Sequence, residues 1–187
     1  MKNIFRSEMS KKEQLEKLYA KFANCQKCPL AKNRNKIVFG GGNYEAKIMI
    51  IGEAPGAEED LMGEPFIGRS GKFLREQMNK AGINTADVFF TNTVKCRPPN
   101  NRLPKANETN ICMALILLPQ IDIIEPKIIV TVGNHATKHL KSLVFDEKET
   151  EFKMIALPHP AYVIRTPKAL KKFQETLIKI ASEADKT

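Results

Sequence analysis

Apolar positions along this 187-residue chain switch between a helical and a strand period, and the switches predict its elements. Ser10 and Glu13 frame a capping box, with Leu15, Leu18, Tyr19 and Phe22 following at helical spacing. An opening helix therefore delivers the chain to Cys25. Ala46 to Ile51 is a short apolar run ending at Gly52, bounded by Gly40-Gly41-Gly42 and Pro55-Gly56, as a buried strand should be. A helix is expected from about Ser70, carrying Phe73, Leu74 and Met78 inward and stopping at Gly82. A second strand follows at Val88 to Thr93. The segment from Arg97 to Lys105 holds three prolines and two adjacent asparagines and reads as a candidate binding loop. A helical pattern covers Glu108 to about Leu118, a third strand Lys127 to Val132, and Gly133 opens another helix. A fourth strand, Lys153 to Leu157, runs into Pro158-His159-Pro160, and a basic helix from about Lys168 closes the chain.

This alternation predicts an α/β fold, a three-layer α/β/α sandwich around a central, mostly parallel four-stranded sheet. Its length fits one domain over residues 1–187. Ligands of such sheets bind beyond the carboxyl ends of the strands. Four unusual segments fall there: Gly52 to Gly56, Thr91-Asn92, Gly133-Asn134-His135 and Pro158-His159-Pro160.

Lysine and arginine total 30 against 21 acidic residues, a formal charge of +9, so a polyanion, nucleic acid first, is the favoured partner. Tryptophan is absent, but ten phenylalanines remain for stacking. No run of about 18 apolar residues occurs, and Met1 to Phe5 lacks a signal-peptide core, so no membrane partner is expected. The expected compartment is the cytoplasm, where a disulfide framework would not persist.

The four cysteines are the strongest chemical signal. Cys25 and Cys28, two residues apart, can turn two thiolates towards one centre, while Cys96 and Cys112 must be brought in by folding. One close pair plus two singletons leans towards an iron–sulfur cluster over zinc, which more often shows two close pairs. Buried free cysteine and a redox pair are the other readings.

Taken together, Gly52-Glu-Ala-Pro-Gly-Ala-Glu-Glu-Asp60, Gly63-Glu-Pro-Phe-Ile-Gly68, Thr91-Asn-Thr-Val-Lys-Cys-Arg-Pro-Pro99 and His159-Pro-Ala-Tyr162 closely resemble the family 4 uracil-DNA glycosylases, over about residues 20–183. The resemblance implies a 4Fe-4S cluster of structural role on Cys25, Cys28, Cys96 and Cys112. It implies DNA containing uracil, single- or double-stranded, as substrate, with hydrolysis of the bond between base and sugar. Phe66 would stack on the flipped base, and Asn92 would read its Watson–Crick edge. His159 would stabilise charge on the departing uracil, and Ala54 and Pro55 would line the pocket. Ala54 stands where other families carry a water-positioning Asp, which leaves Glu53 as first choice for that role. Glu59 and Asp60 are runners-up that could equally hold the loop. Arg165 would grip DNA, with Val163 and Ile164 as an apolar wedge; Lys95, Arg97 and Arg102 are candidate phosphate contacts that could equally be solvated charges. His135 and His139 lack a motif match and read as surface or helix-cap residues. A monomer is the default, and the rival reading is a catalytically silent iron–sulfur module that binds nucleic acid.

Overall fold

The computed structural model describes residues 9–143 and 151–186. Met1 to Phe5, where a signal-peptide core was sought, lies outside them. Five strands form one sheet in the order β1-β3-β2-β4-β5. Four are parallel: β2 (Ile48–Gly52), β3 (Val88–Asn92), β4 (Ile128–Val132) and β5 (Lys153–Leu157). β2, β3 and β4 are buried at every position, which is why they read as continuous apolar runs rather than alternating ones. The fifth strand, absent from the sequence reading, is β1 (Gly41–Gly42), which pairs antiparallel with Phe89 and Phe90. Two glycines carry no side-chain alternation, so no periodicity could announce them.

Side chains of one strand part to the two faces. Ile48 and Ile50 enter one core with Leu74 and Met78 of α3 (Arg69–Lys80) and Phe173, Leu177 and Ile180 of α8 (Leu170–Ala184). Met49 and Ile51 enter the other with Leu15 of α1 (Lys11–Phe22), Ile121 of α5 (Leu118–Ile124) and Leu140 of α6 (Asn134–Leu143). Three layers result. The capping box of α1 is formed, with Ser10 N–H donating to Glu13 at 2.8 Å and Glu13 N–H to the Ser10 hydroxyl at 3.3 Å.

Three helical features depart from expectation. The predicted helix from Glu108 is longer and divided: α4 (Ala106–Cys112), a π-helical stretch at Met113–Leu117, then α5. Pro119 lies near the start of α5 without an N–H to give, and the widened turn before it lets the helix pass. Two short helices, α2 (Ala57–Met62) and α7 (Pro160–Arg165), occupy segments read as connections. Glu58, Glu59 and Asp60 in the first turn of α2 suit its dipole. No described helix is long and apolar enough to cross a membrane.

Candidate active site

The four parallel strands end on one edge, and β2 has β3 on one side and β4 on the other, so the chain reverses direction of travel across the sheet there. A cavity of about 520 Å³ opens above this point, lined by Gly52 to Glu59, Phe66, Asn92, His159 and Arg165. Of the residues the sequence singled out for the pocket, Glu53, Ala54, Pro55, Phe66, Asn92 and His159 all meet here.

Gly52 and Asn92 are register partners at the ends of β2 and β3. A β-carbon on Gly52 would lie 2.4 Å from Asn92 Oδ1 and 2.8 Å from Phe66 Cζ. Glycine is therefore the residue that lets the amide and the ring close over the backbone. Asn92 is 4% exposed. Phe66 adopts φ 56, and its carbonyl accepts from Arg75 Nε at 3.1 Å while the Arg75 guanidinium lies 3.8 Å from the Phe90 ring centroid. Phe66 also meets the Phe90 ring, at 5.6 Å between centroids. Arg75 thus holds a left-handed aromatic in place, a role with no signal in the sequence.

His159 caps α7. Its Nδ1 accepts from the Ala161 N–H at 3.1 Å, which leaves Nε2 as the protonated nitrogen of the neutral ring. Burial first, and then the Arg165 charge, hold its pKa below the ordinary value. The ring edge packs on Gly133, where a β-carbon would lie 3.3 Å from His159 Cδ2. Glu53 is half-buried, and desolvation raises its carboxyl above the usual range. The other two carboxylates are committed elsewhere. Glu59 accepts from the backbone N–H groups of Gly56 at 3.1 Å, Ile67 at 3.1 Å and Gly68 at 2.8 Å, clipping the Gly52–Gly56 turn to the Phe66 loop. Asp60, 1% exposed, accepts from Asn35 N–H at 3.0 Å and from its side-chain amide.

Two expectations are corrected, the wedge role of Val163 and the phosphate contact of Lys95. Val163 is 2% exposed and belongs to the core beside Phe173, so it is not free to enter DNA. Ile164 is half-buried and lines a neighbouring groove with Phe73 and Leu170. Lys95 is 1% exposed: its ammonium donates to Asn92 O at 2.8 Å, to Gln120 Oε1 at 2.7 Å and to Thr91 Oγ1. It cannot touch a phosphate. Arg102 makes two bonds to the buried Glu108 carboxylate, at 2.9 and 2.8 Å, and Arg97 Nε donates to Asn101 Oδ1 at 2.8 Å. Both guanidinium groups brace the loop, and that of Arg102 also lines the cavity. His135 and His139 stack at 4.4 Å on α6, with His135 also against Thr109.

Behind the cavity, Cys25, Cys28, Cys96 and Cys112 line one small apolar chamber with Ala31, Ile37 and Leu115. None of the four forms a disulfide. Among the described residues no group of three potential ligands is placed to hold a single ion. The donor set nevertheless fits a thiolate-bound cluster: four sulfurs, with no competing oxygen or nitrogen ligand, face one space. Their second partners point the same way. Arg34 Nη1 donates to Cys96 Sγ at 3.7 Å, and the charge of buried Lys95 favours the thiolate of Cys112. Both favour thiolate over thiol, whereas burial pushes Cys96 up to about 12 and Cys112 up to about 11. A bound metal centre would favour the thiolate forms against that burial. Ala54 lies in both places, lining the cavity and packing on this cysteine cluster.

Fold and site together define a uracil DNA glycosylase superfamily member, and that family's model matches residues 39–181. Within the superfamily the chain belongs to the type-4 uracil-DNA glycosylases. It is 38% identical over 179 residues to the type-4 uracil-DNA glycosylase of Pyrobaculum aerophilum, covering 87% of this chain and 91% of that protein. With that of Sulfurisphaera tokodaii it shares 40% over 185 residues, covering 90% and 84%. Among solved structures, the wild-type SMUG2 of Pedobacter heparinus superposes with a TM-score of 0.56 over 76% of this chain and 77% of that one. At 16% identity, that likeness speaks to the fold alone.

The clip made by Glu59 yields a direct expectation. Glu59→Ala removes the acceptor of three backbone N–H groups and should lower stability by about 1.5–3 kcal/mol, with Glu59→Gln losing less. Urea denaturation at constant pH measures this, and amide exchange at Ile67 and Gly68 should accelerate in the alanine variant.

Proposed function

We propose that this protein flips deoxyuridine out of DNA, single- or double-stranded, and hydrolyses its N-glycosidic bond, releasing uracil and leaving an abasic site. The observation that carries the reading is the convergence of Phe66 and Asn92 over Gly52, with a neutral histidine on the same cavity.

The duplex hides the scissile bond, so the nucleotide must leave the stack. Stacking on Phe66 returns about 1–3 kcal/mol of that cost. The Asn92 side-chain amide offers one acceptor and one donor, matching the imide hydrogen and neighbouring carbonyl of uracil, whereas cytosine presents the opposite polarity. Held in a buried site, a mismatched amide leaves polar groups unpaired, and that penalty is the discrimination. Bond breaking places negative charge on uracil and positive charge on the sugar. His159, with Nδ1 engaged by Ala161, offers Nε2–H to the carbonyl next to the scissile bond. Glu53 orients the water and faces the cationic sugar, since Glu59 and Asp60 are spent on the backbone and Asn35. Ala54 and Pro55 form the pocket wall, and Arg165 binds the DNA backbone.

Cys25, Cys28, Cys96 and Cys112 would hold a 4Fe-4S cluster. When bound, the cluster supplies a cross-link between the segment after α1, the loop after β3 and α4, and no step of the hydrolysis passes through it. The protein acts as a single-domain monomer in the cytoplasm.

The deciding experiment incubates the purified holoprotein with labelled oligonucleotides carrying one uracil and then cleaves with alkali. Scission only where uracil is present is expected; tight binding without scission would instead mean a silent binding module. Asn92→Ala should cut uracil release while the iron content stays unchanged, and His159→Ala should cost about 100- to 1000-fold in kcat.

His159 also sets a pH dependence. Because its folded pKa lies below the ordinary 6.5, the unfolded chain takes up the proton first as pH falls. Its contribution to stability is complete above 6.5 and is lost as pH drops through the lower folded value, when Nδ1 is protonated and no longer accepts from Ala161. Urea midpoints at about pH 7 and about pH 5 should therefore differ more in the wild type than in His159→Asn, which keeps a cap that does not titrate.

A further inference from the structure

Asn92 closes β3, and the peptide that joins it to Thr93 is held at both ends. The Lys95 ammonium donates to Asn92 O at 2.8 Å, and Thr93 N–H donates to Gly52 O at 2.9 Å. Register with Gly52 places the Asn92 backbone, and a fixed peptide plane then sets the direction of its Cα–Cβ bond. That direction is the crevice shared with Phe66, where Asn92 Oδ1 stands close over Gly52.

The ammonium that makes this bond is itself fixed. Its other acceptors are Gln120 Oε1 at 2.7 Å and Thr91 Oγ1. The Gln120 amide nitrogen donates to the Tyr19 hydroxyl and to Phe39 O, both at 2.8 Å, so its oxygen is the end that faces Lys95. Thr91 gives its own proton to Phe39 O at 2.8 Å and is left as an acceptor. Three acceptors call for three N–H groups, which an ammonium has and a neutral amine lacks. Val38 N–H donates to Lys95 O at 2.8 Å and pins the backbone from which the side chain turns back over Asn92. Burying a charge this deeply is costly, and a methionine would fill similar space without that cost. Of the three acceptors, only the Asn92 carbonyl belongs to a residue that lines the cavity.

Resting on the glycosylase reading above, we infer that Lys95 is a positioning residue for uracil selectivity: it touches no substrate, and it aims the Asn92 amide by fixing the peptide behind it. Without that bond the peptide can rotate, and a displaced amide no longer offers its donor and acceptor in the order that uracil needs. Uracil then loses the most, because cytosine gained nothing from the correct order.

The test uses the holoprotein and Lys95→Met, with iron per chain measured to show that the cysteine site is kept. Kd is compared for oligonucleotides carrying 2′-fluoroarabinouridine or the matching cytidine, whose fluorine keeps the glycosidic bond from breaking, and kcat/KM for uracil release is measured alongside. Lys95→Met should lower kcat/KM about ten-fold and narrow the uridine-to-cytidine Kd ratio. In an Asn92→Ala background the same change should cost less than about two-fold. An equal loss in both backgrounds is what packing alone would give, and it overturns the inference, as does an unchanged Kd ratio. If Lys95→Met loses iron or does not fold, Gln120→Met takes its place: it leaves the charge, removes one of its acceptors, and should show a smaller loss with the same dependence on Asn92. Should the wild type prefer uridine to cytidine yet release no uracil, the glycosylase reading is what fails, and the Kd ratios still decide for Lys95. A wild type that does not tell the two apart overturns both.

Discussion

The closeness of three groups at the end of β2 is the constraint on which the site depends. Asn92 and Phe66 approach the Gly52 backbone so nearly that a single methyl group would displace one of them. That approach is possible because β2 and β3 are parallel and in register, so both chains leave the sheet at the same height. Uracil recognition, on the proposed reading, is the use made of this crevice: a flat ring slides along Phe66 until its edge meets the amide. The sheet provides the floor, and the specificity comes from what glycine leaves out.

Holding an amide and a ring there takes support from behind. Lys95 is the central strut, because its ammonium binds the Asn92 carbonyl and its charge lies beside Cys112. Gln120 continues the network to the Tyr19 hydroxyl and the Phe39 carbonyl, both at 2.8 Å, tying α1 and α5 to the end of β3. Burial pulls Lys95 down to about 7, while Cys112 and Cys96 beside it push it back up. Four thiolates around a cluster would strengthen that second influence, so a buried ammonium and a buried anionic centre make each other tolerable. Ala54 adds a packing link between the same two places. The cysteine chamber thus acts on the pocket through position.

How much of this was legible in the chain follows from which interactions leave a periodic trace. The parallel strands were readable as short apolar runs between turn residues, β2, β3 and β4 being buried on both faces, and most of the longer helices because burial on one face repeats every 3.6 residues. Most residues that line the cavity were readable as motifs at strand ends, whereas Phe66, in the loop between α2 and α3, was named only by the resemblance. Val163 was misjudged because a position beside a motif says nothing about which way it faces; the turn of α7 directs it into the core and leaves Tyr162 half in water. Lys95 misled for the opposite reason, since a lysine in a basic stretch reads as surface until three buried acceptors are found around it. Arg75 left no trace, its two roles being contacts made only after α3 packs on the Phe66 loop. Glu59 did leave one: an acidic residue three beyond Gly56 has capping-box spacing, and the structure uses it that way.

The histidine shows how such support becomes chemistry. A neutral imidazole can carry its proton on either nitrogen, and only one choice aims a donor at a leaving group. Ala161 N–H occupies Nδ1, and the Gly133 backbone presses on the opposite ring edge, so both the tautomer and the orientation are fixed before any substrate arrives. Burial keeps the ring uncharged. On the proposed reading, a donor fixed in advance needs no reorganisation when charge develops, and that is where electrostatic stabilisation is largest. Glycine makes room at both places, at Gly52 for the groups that would identify the base and at Gly133 for the ring that would receive its charge. On that reading selectivity and rate rest on the same device, a backbone brought close enough to a side chain that the side chain has one place to be.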